Sequence, residues 1–228
     1  MSTYLMIDLL IIVCPLILIT LPWFSYYRRS FRPLTIATVT VGALFIIWDG
    51  LVTRRGDWGF NPQFVLPFSL AGLPIEEWLF FLAVPFSCLF IYESLRHFFT
   101  DRPAPFNRRA YRWTAILCFF LALLSLHHGY SALVFLATGL WLIWAADFAR
   151  KMLSSLFYWV YLGLSFLLFV VFNYYLTSFP VVIYNPSAIL GVRVLTIPVE
   201  DFFYNFILLS LYLAVYLLAE KKESKIKP

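Results

Sequence analysis

The chain has 228 residues, 62% of them hydrophobic, 21% aromatic and only 13% charged, and it carries a net charge of +5. Soluble domains hold about 45–50% apolar and about 25% charged residues, so the composition excludes an ordinary water-soluble protein and indicates one built into a membrane. The basic excess does not call for a nucleic-acid partner, because the lysines and arginines cluster beside apolar segments, where membrane topology accounts for them.

Windows of about 20 apolar residues predict seven spans, near residues 4–25, 34–53, 76–96, 112–127, 130–148, 156–178 and 200–219. The first holds Asp8, has no basic lead-in and runs into Pro22 and Arg28 without an Ala-x-Ala site, so it reads as a retained helix and not a cleaved signal. The fourth is short, and His127-His128-Gly129 predicts a tight turn into the fifth. Cys14, Cys88 and Cys118 fall inside apolar runs with neither metal nor disulfide spacing. Glu93 with Arg96 or His97, and Asp147 with Arg150, read as structural pairs three or four residues apart on helices. Asp101–Asn107 reads as a solvated loop.

One side of the membrane receives Arg28, Arg29 and Arg32, then Arg96, Arg102, Arg108, Arg109 and Arg112. Arg150, Lys151, Lys221, Lys222, Lys225 and Lys227 follow on the same side, leaving Arg54, Arg55 and Arg193 opposite. Positive charge marks the cytoplasmic side. The N-terminus is therefore expected outside and the C-terminus in the cytoplasm.

Shifted by 124 residues, the sequence overlays itself. "IIWDGLVT" (46–53) lies on "VVFNYYLT" (170–177), pairing Asp49 with Asn173. Phe60-Asn61-Pro62 lies on Tyr184-Asn185-Pro186, and Pro74-Ile75-Glu76-Glu77-Trp78 on Pro198-Val199-Glu200-Asp201-Phe202. Chance similarity between greasy segments would match leucine with leucine, whereas here rare Asn, Pro and Glu coincide. The expectation is an all-α bundle of seven spans in a 3+1+3 parallel repeat. Residues 1–98 form the first repeat and 99–128 a cytoplasmic loop with a linker helix. Residues 129–228 form the second repeat with a basic tail.

Each half thus carries Asn-Pro and then, twelve residues later, Pro-x-Glu-Glu/Asp-aromatic. Proline suits the first helical turn, and carboxylates just after it gain about 0.3–1 kcal/mol from the helix dipole. Capping alone, however, needs one carboxylate and tolerates Ser or Thr. A charge in a span costs roughly 2.5–3.5 kcal/mol on insertion scales, so keeping Glu76, Glu77, Glu200 and Asp201 points to chemistry. Neighbours on a helix diverge by about 100°, so one of each pair is expected to face the bundle axis and its neighbour the partner half or a supporting donor, with up to four carboxyls converging. Carboxyls converging in an apolar pocket cannot all ionise near neutral pH, which leaves an acid beside a base. Asp49, with Asn173 as its uncharged counterpart, is a supporting group at the same depth, and Asn61, Asn185 and Asn205 complete the polar set. No His–carboxylate spacing suggests a metal site.

With two copies of Pro-x-Glu-Glu/Asp in matched halves, the chain resembles the small integral-membrane lycopene cyclases end to end, in the fused form of their two three-span polypeptides. The resemblance implies closure of the open ψ-ends of lycopene to β-rings. It also implies that Glu76, Glu77, Glu200 and Asp201 are the motif carboxylates. Asp201 departs from Glu77, and Asn173 from Asp49, so the two halves are expected to differ in role. The chemistry suits the residues: an acid protonates the terminal double bond, an internal alkene attacks the tertiary cation, and a base removes a proton from the ring cation. No electrons are exchanged overall, no redox cofactor is obligatory, and no Gly-x-Gly-x-x-Gly run is present. Aromatic faces stabilise such cations without trapping them. Trp48, Trp78, Phe80, Phe81, Phe172, Phe202, Phe203 and Tyr204 crowd the motifs. The expected partners are a lipophilic carotenoid and membrane lipid.

Two other readings stand beside this one. Sugar transporters of the SWEET type share the 3+1+3 plan, although a polar pathway calls for polar residues at midplane in several spans. A different carotenoid cyclase or a hydratase would use the same cation. A retinal protein is excluded, since no lysine lies inside a span.

Overall fold

A computed structural model describes residues 2–226, with side chains as far as residue 222, so the side chains of Lys225 and Lys227 lie outside the described residues. The chain is mostly helical. Helix α1 (Thr3–Leu18) opens on Ser2, whose hydroxyl accepts the Leu5 N–H at 3.1 Å. A 3-10 helix (Pro22–Ser30), with proline in its first turn, leads into α2 (Phe31–Arg55). That helix stops at Gly56, whose φ of 78° few other residues adopt, and whose N–H returns to the Val52 and Thr53 carbonyls. Strands β1 (Trp58–Phe60), β2 (Ser69–Leu70) and β3 (Leu73–Pro74) precede α3 (Ile75–Phe98). Then come α4 (Arg108–Leu124), α5 (Gly129–Phe148), the single turn α6 (Arg150–Leu153) and α7 (Leu156–Ser178). Strands β4 (Val182–Tyr184), β5 (Arg193–Val194) and β6 (Ile197–Pro198) lead into α8 (Val199–Ile226).

Among the described residues, five helical segments are long and apolar enough to cross a membrane: Pro22–Arg55, Ile75–Phe98, Gly129–Phe148, Leu156–Ser178 and Val199–Lys222. The sequence windows predict seven. The first window breaks at Leu18, before Pro22, which leaves α1 with 16 residues. The fourth becomes a 17-residue helix whose first turns carry Arg108, Arg109 and Arg112.

Helices α2, α3, α7 and α8 surround the main core, which contains the fully buried tyrosines Tyr27, Tyr158, Tyr161, Tyr212 and Tyr216. Two of the bundle's hydroxyls repair the damage prolines do to helices. Pro85 in α3 has no N–H for the Phe81 carbonyl four residues earlier, and Tyr212 of α8 donates to that carbonyl at 3.1 Å instead. Pro15 in α1 likewise orphans the Ile11 carbonyl, and Ser87 of α3 donates to it at 2.9 Å. Gly42 leaves room for Tyr212: a Cβ there would stand 3.0 Å from its hydroxyl. Gly139 lets α5 approach α4, since a Cβ would meet the Phe119 ring at 2.5 Å.

The loops that join α2 to α3 and α7 to α8 meet. Strands β1 and β4 pair antiparallel, Trp58 opposite Tyr184 and Phe60 opposite Val182. β2 pairs with β3 and β5 with β6, as hairpins directly before α3 and α8. At the other end, two expectations need correction. Asp147 pairs with Arg108 and Arg112 of α4, because the chain breaks at Ala149 and Arg150 swings over the Phe106 ring at 5.4 Å. The 101–107 loop is docked as well as solvated: Asp101 accepts the Phe157 N–H at 3.1 Å, and Pro103 bridges to Ser155.

Candidate active site

Both Pro-x-Glu-Glu/Asp motifs start their helices as the spacing predicts, with all four carboxyls in the first turn. The two members of each pair then part. Glu76 Oε1 accepts the Ser2 hydroxyl at 2.5 Å and the Leu66 N–H at 2.7 Å. Glu200 Oε1 accepts the Ser131 hydroxyl at 2.5 Å and the Leu190 N–H at 2.8 Å. Both residues are completely buried, and in each case Oε2 has no protein partner. Each therefore staples the preceding loop to a neighbouring helix, α1 or α5. Neither lines the cavity described next.

Glu77 and Asp201 point the other way. They line one cavity of about 340 Å³, together with Asp49, Asn173 and Asn205, a size within the range of small-molecule sites. Glu77 Oε2 accepts the Tyr4 hydroxyl at 2.6 Å, and its carboxyl shares the cavity wall with that of Asp49. Two carboxyls brought into one apolar pocket repel when both are charged, an arrangement suited to sharing a proton. Asp49 Oδ1 accepts the Tyr204 hydroxyl at 2.9 Å, across a sequence separation of 155 residues.

Asp201 has a different environment. It accepts Tyr130 at 3.0 Å, Asn173 Nδ2 at 3.0 Å and Tyr184 at 2.6 Å. Three donors fill much of what a carboxylate can accept. Tyr184 sits on β4, outside the helices. Removal from water, and then the negative charge of Asp201, push its phenol well above the usual tyrosine range, so it stays a donor.

The carboxyls sit beside an aromatic box. The Trp58 ring lies 4.6 Å from Tyr130, 5.9 Å from Tyr184 and 6.2 Å from Tyr204, edge to face in each case. All four line the cavity. Their polar atoms are engaged: the three hydroxyls by carboxyls, and Trp58 Nε1 by Thr53 Oγ1 at 3.0 Å. What remains for a guest is ring surface, which attracts cations by about 0.5–2 kcal/mol per contact and offers no free nucleophile.

Of the aromatics singled out in the sequence, Phe80, Phe172 and Tyr204 line the cavity. Trp48 stacks on Phe45, and Phe81 is buried in the core. Phe202 packs on Phe169 and Phe203 on Phe135, while Trp78 donates to the Leu70 carbonyl at 3.2 Å. Asn61 and Asn185 organise the loops: Asn61 caps the Gln63 N–H, and Asn185 joins Gly56 to Ser187. Asn205 is buried on the cavity wall, its amide nitrogen without a protein partner. Sequence reasoning missed Tyr4, Trp58, Tyr130 and Tyr184. For Tyr184 a signal existed, since it faces Phe60 in the 124-residue overlay and so adds a hydroxyl in one half only.

Among protein-family models, the one described as Lycopene cyclase matches residues 1–95 and 109–219. No curated protein and no solved structure matches the chain.

Proposed function

From the premise that the chain belongs to the lycopene cyclase family, we propose that it closes ψ-ends of lycopene to β-rings by carboxylate acid–base catalysis. The observation that carries this reading is the convergence of Glu77, Asp49 and Asp201 on one apolar, aromatic-walled cavity. The proton shared by Asp49 and Glu77 is the one delivered to the terminal double bond. The tertiary cation formed there is attacked by the internal alkene, which makes the ring bond and moves the charge onto the ring. Asp201, held by three donors, takes the proton whose loss leaves the ring double bond. The proton count closes, and no electrons enter or leave. Trp58, Tyr130, Tyr184 and Tyr204 stabilise the cation between the two proton transfers. Glu76 and Glu200 act at one remove, as positioning residues that fix the loops bearing Phe60 and Tyr184.

In this reading the chain is a seven-span 3+1+3 repeat, with α1 and α4 as the two short spans. At 16 residues α1 rises about 24 Å, which a membrane accommodates by local thinning. The N-terminus lies outside and the C-terminus in the cytoplasm. Residues 1–98 and 129–228 are the repeats, and 99–128 is the linker.

Expression in a lycopene-accumulating bacterium, with chromatography of the pigments, tests the proposal. The wild-type chain yields β-ringed products. Glu77→Gln and Asp201→Asn each reduce ring formation by about a hundredfold or more, the scale of losing general acid or base catalysis. Full activity in both variants, each present in the membrane at wild-type level, refutes the acid–base assignment.

A further inference from the structure

The cavity continues well past the carboxyls. On α3 it follows one stripe, Glu77, Phe80, Val84, Ser87 and Ile91, at spacings of three and four residues that keep one helix face. Glu77 to Ile91 is 14 residues, about 21 Å of helical rise. Helices α1 and α7 form the two banks of this groove, each packed on α3; near the carboxyls Tyr4 and Ile7 share a buried cluster with Leu176, while further along Leu10, Cys14 and Leu168 line the cavity. Leu10 and Cys14 on α1, and Leu168 on α7, line the cavity and are also exposed, Leu10 by 61% and Leu168 by 41%. Residues with both properties mark where a cavity meets its surroundings. In the middle of apolar helices those surroundings are lipid. Helix α8, which bears the second motif, is covered instead by α2 packed along it.

Resting on the cyclase reading above, we propose that the gap between α1 and α7 is the lateral opening through which a linear polyene reaches the carboxyls. The groove holds one open end and the adjoining polyene, while the rest of the molecule stays in lipid. A C40 polyene approaches the hydrocarbon thickness of roughly 30 Å, longer than the groove, so the far end lies outside and goes unread. A second ring requires release and re-docking in reverse.

Two measurements test this. Cys14→Trp sets an indole in the opening and lowers kcat/KM about tenfold or more, and Leu168→Trp does the same from the opposite bank. Leu140→Trp, on an exposed face of α5 away from the groove, stays within about twofold. On the unaltered protein, a substrate already ringed at one end is closed at the other with kcat/KM within about twofold of lycopene's. The one-ring product then accumulates before the two-ring product. Wild-type turnover by both groove variants overturns the route. A tenfold slower reaction of the one-ringed substrate overturns the placement of the far end, even if an indole should unfold α1. A wild-type chain that closes no ring at all overturns the cyclase reading instead.

Discussion

Replacing Tyr204 by Phe removes one hydroxyl from the cavity wall and restores the residue that Phe80 supplies at the matching place in the first half. That hydroxyl donates to Asp49 Oδ1 at 2.9 Å, and Asp49 is only 1% exposed, so water has little access to replace it. Hydrogen bonds to charged groups contribute about 1.5–3 kcal/mol, and each 1.36 kcal/mol on a barrier is about tenfold in rate. If Tyr204 holds Asp49 against Glu77, kcat falls about ten- to a hundredfold. The assay is initial-rate ring formation in reconstituted membranes, run as a double-mutant cycle with Asp49→Asn. Asp49→Asn keeps the shape but removes the carboxyl that shares the delivered proton with Glu77, so it lowers kcat at least as far as Tyr204→Phe. In that background Tyr204→Phe loses its effect, costing less than about threefold, because its partner has changed. An unchanged kcat in the single variant refutes the reasoning. So does an equal loss with and without Asp49, which would make Tyr204 a packing residue only.

Tyr212→Phe leaves the Phe81 carbonyl unpaired in the core and lowers stability by about 1–3 kcal/mol. In a Pro85→Ala background the helix regains its own N–H, and the cost drops below about 1 kcal/mol. Unfolding titrations in mixed detergent measure both, and equal costs refute the repair role. Cutting the chain between Ala104 and Pro105 leaves the Pro103–Ser155 bridge to hold the pieces together. Co-expression of the two pieces in a lycopene-accumulating bacterium then restores ring formation, while activity from one piece alone contradicts a cavity built from both.

By itself the sequence determined the membrane setting, the helix starts and the residues worth watching, because each depends on local chemistry. An apolar run of 20 residues needs lipid, Pro74 and Pro198 begin helices, and paired carboxylates beside an apolar span are too costly to be incidental. The overlay at 124 residues also exposed where the halves differ, at Asp49 against Asn173 and at Phe60 against Tyr184. What the sequence left open was decided by rotation and distant contact. Glu76 and Glu77 are both acidic and adjacent, and only the turn of α3 against α1 sends one to Ser2 and the other to Tyr4 and the cavity. Trp58 joins Tyr130, Tyr184 and Tyr204 because β1 pairs with β4 across more than a hundred residues. Cys14 on α1 and Leu168 on α7 line one cavity because both helices pack on α3. Hydrophobic pattern selects which faces avoid water, but in a membrane nearly every face qualifies. Which apolar face meets a helix, lipid or substrate is therefore settled by packing alone.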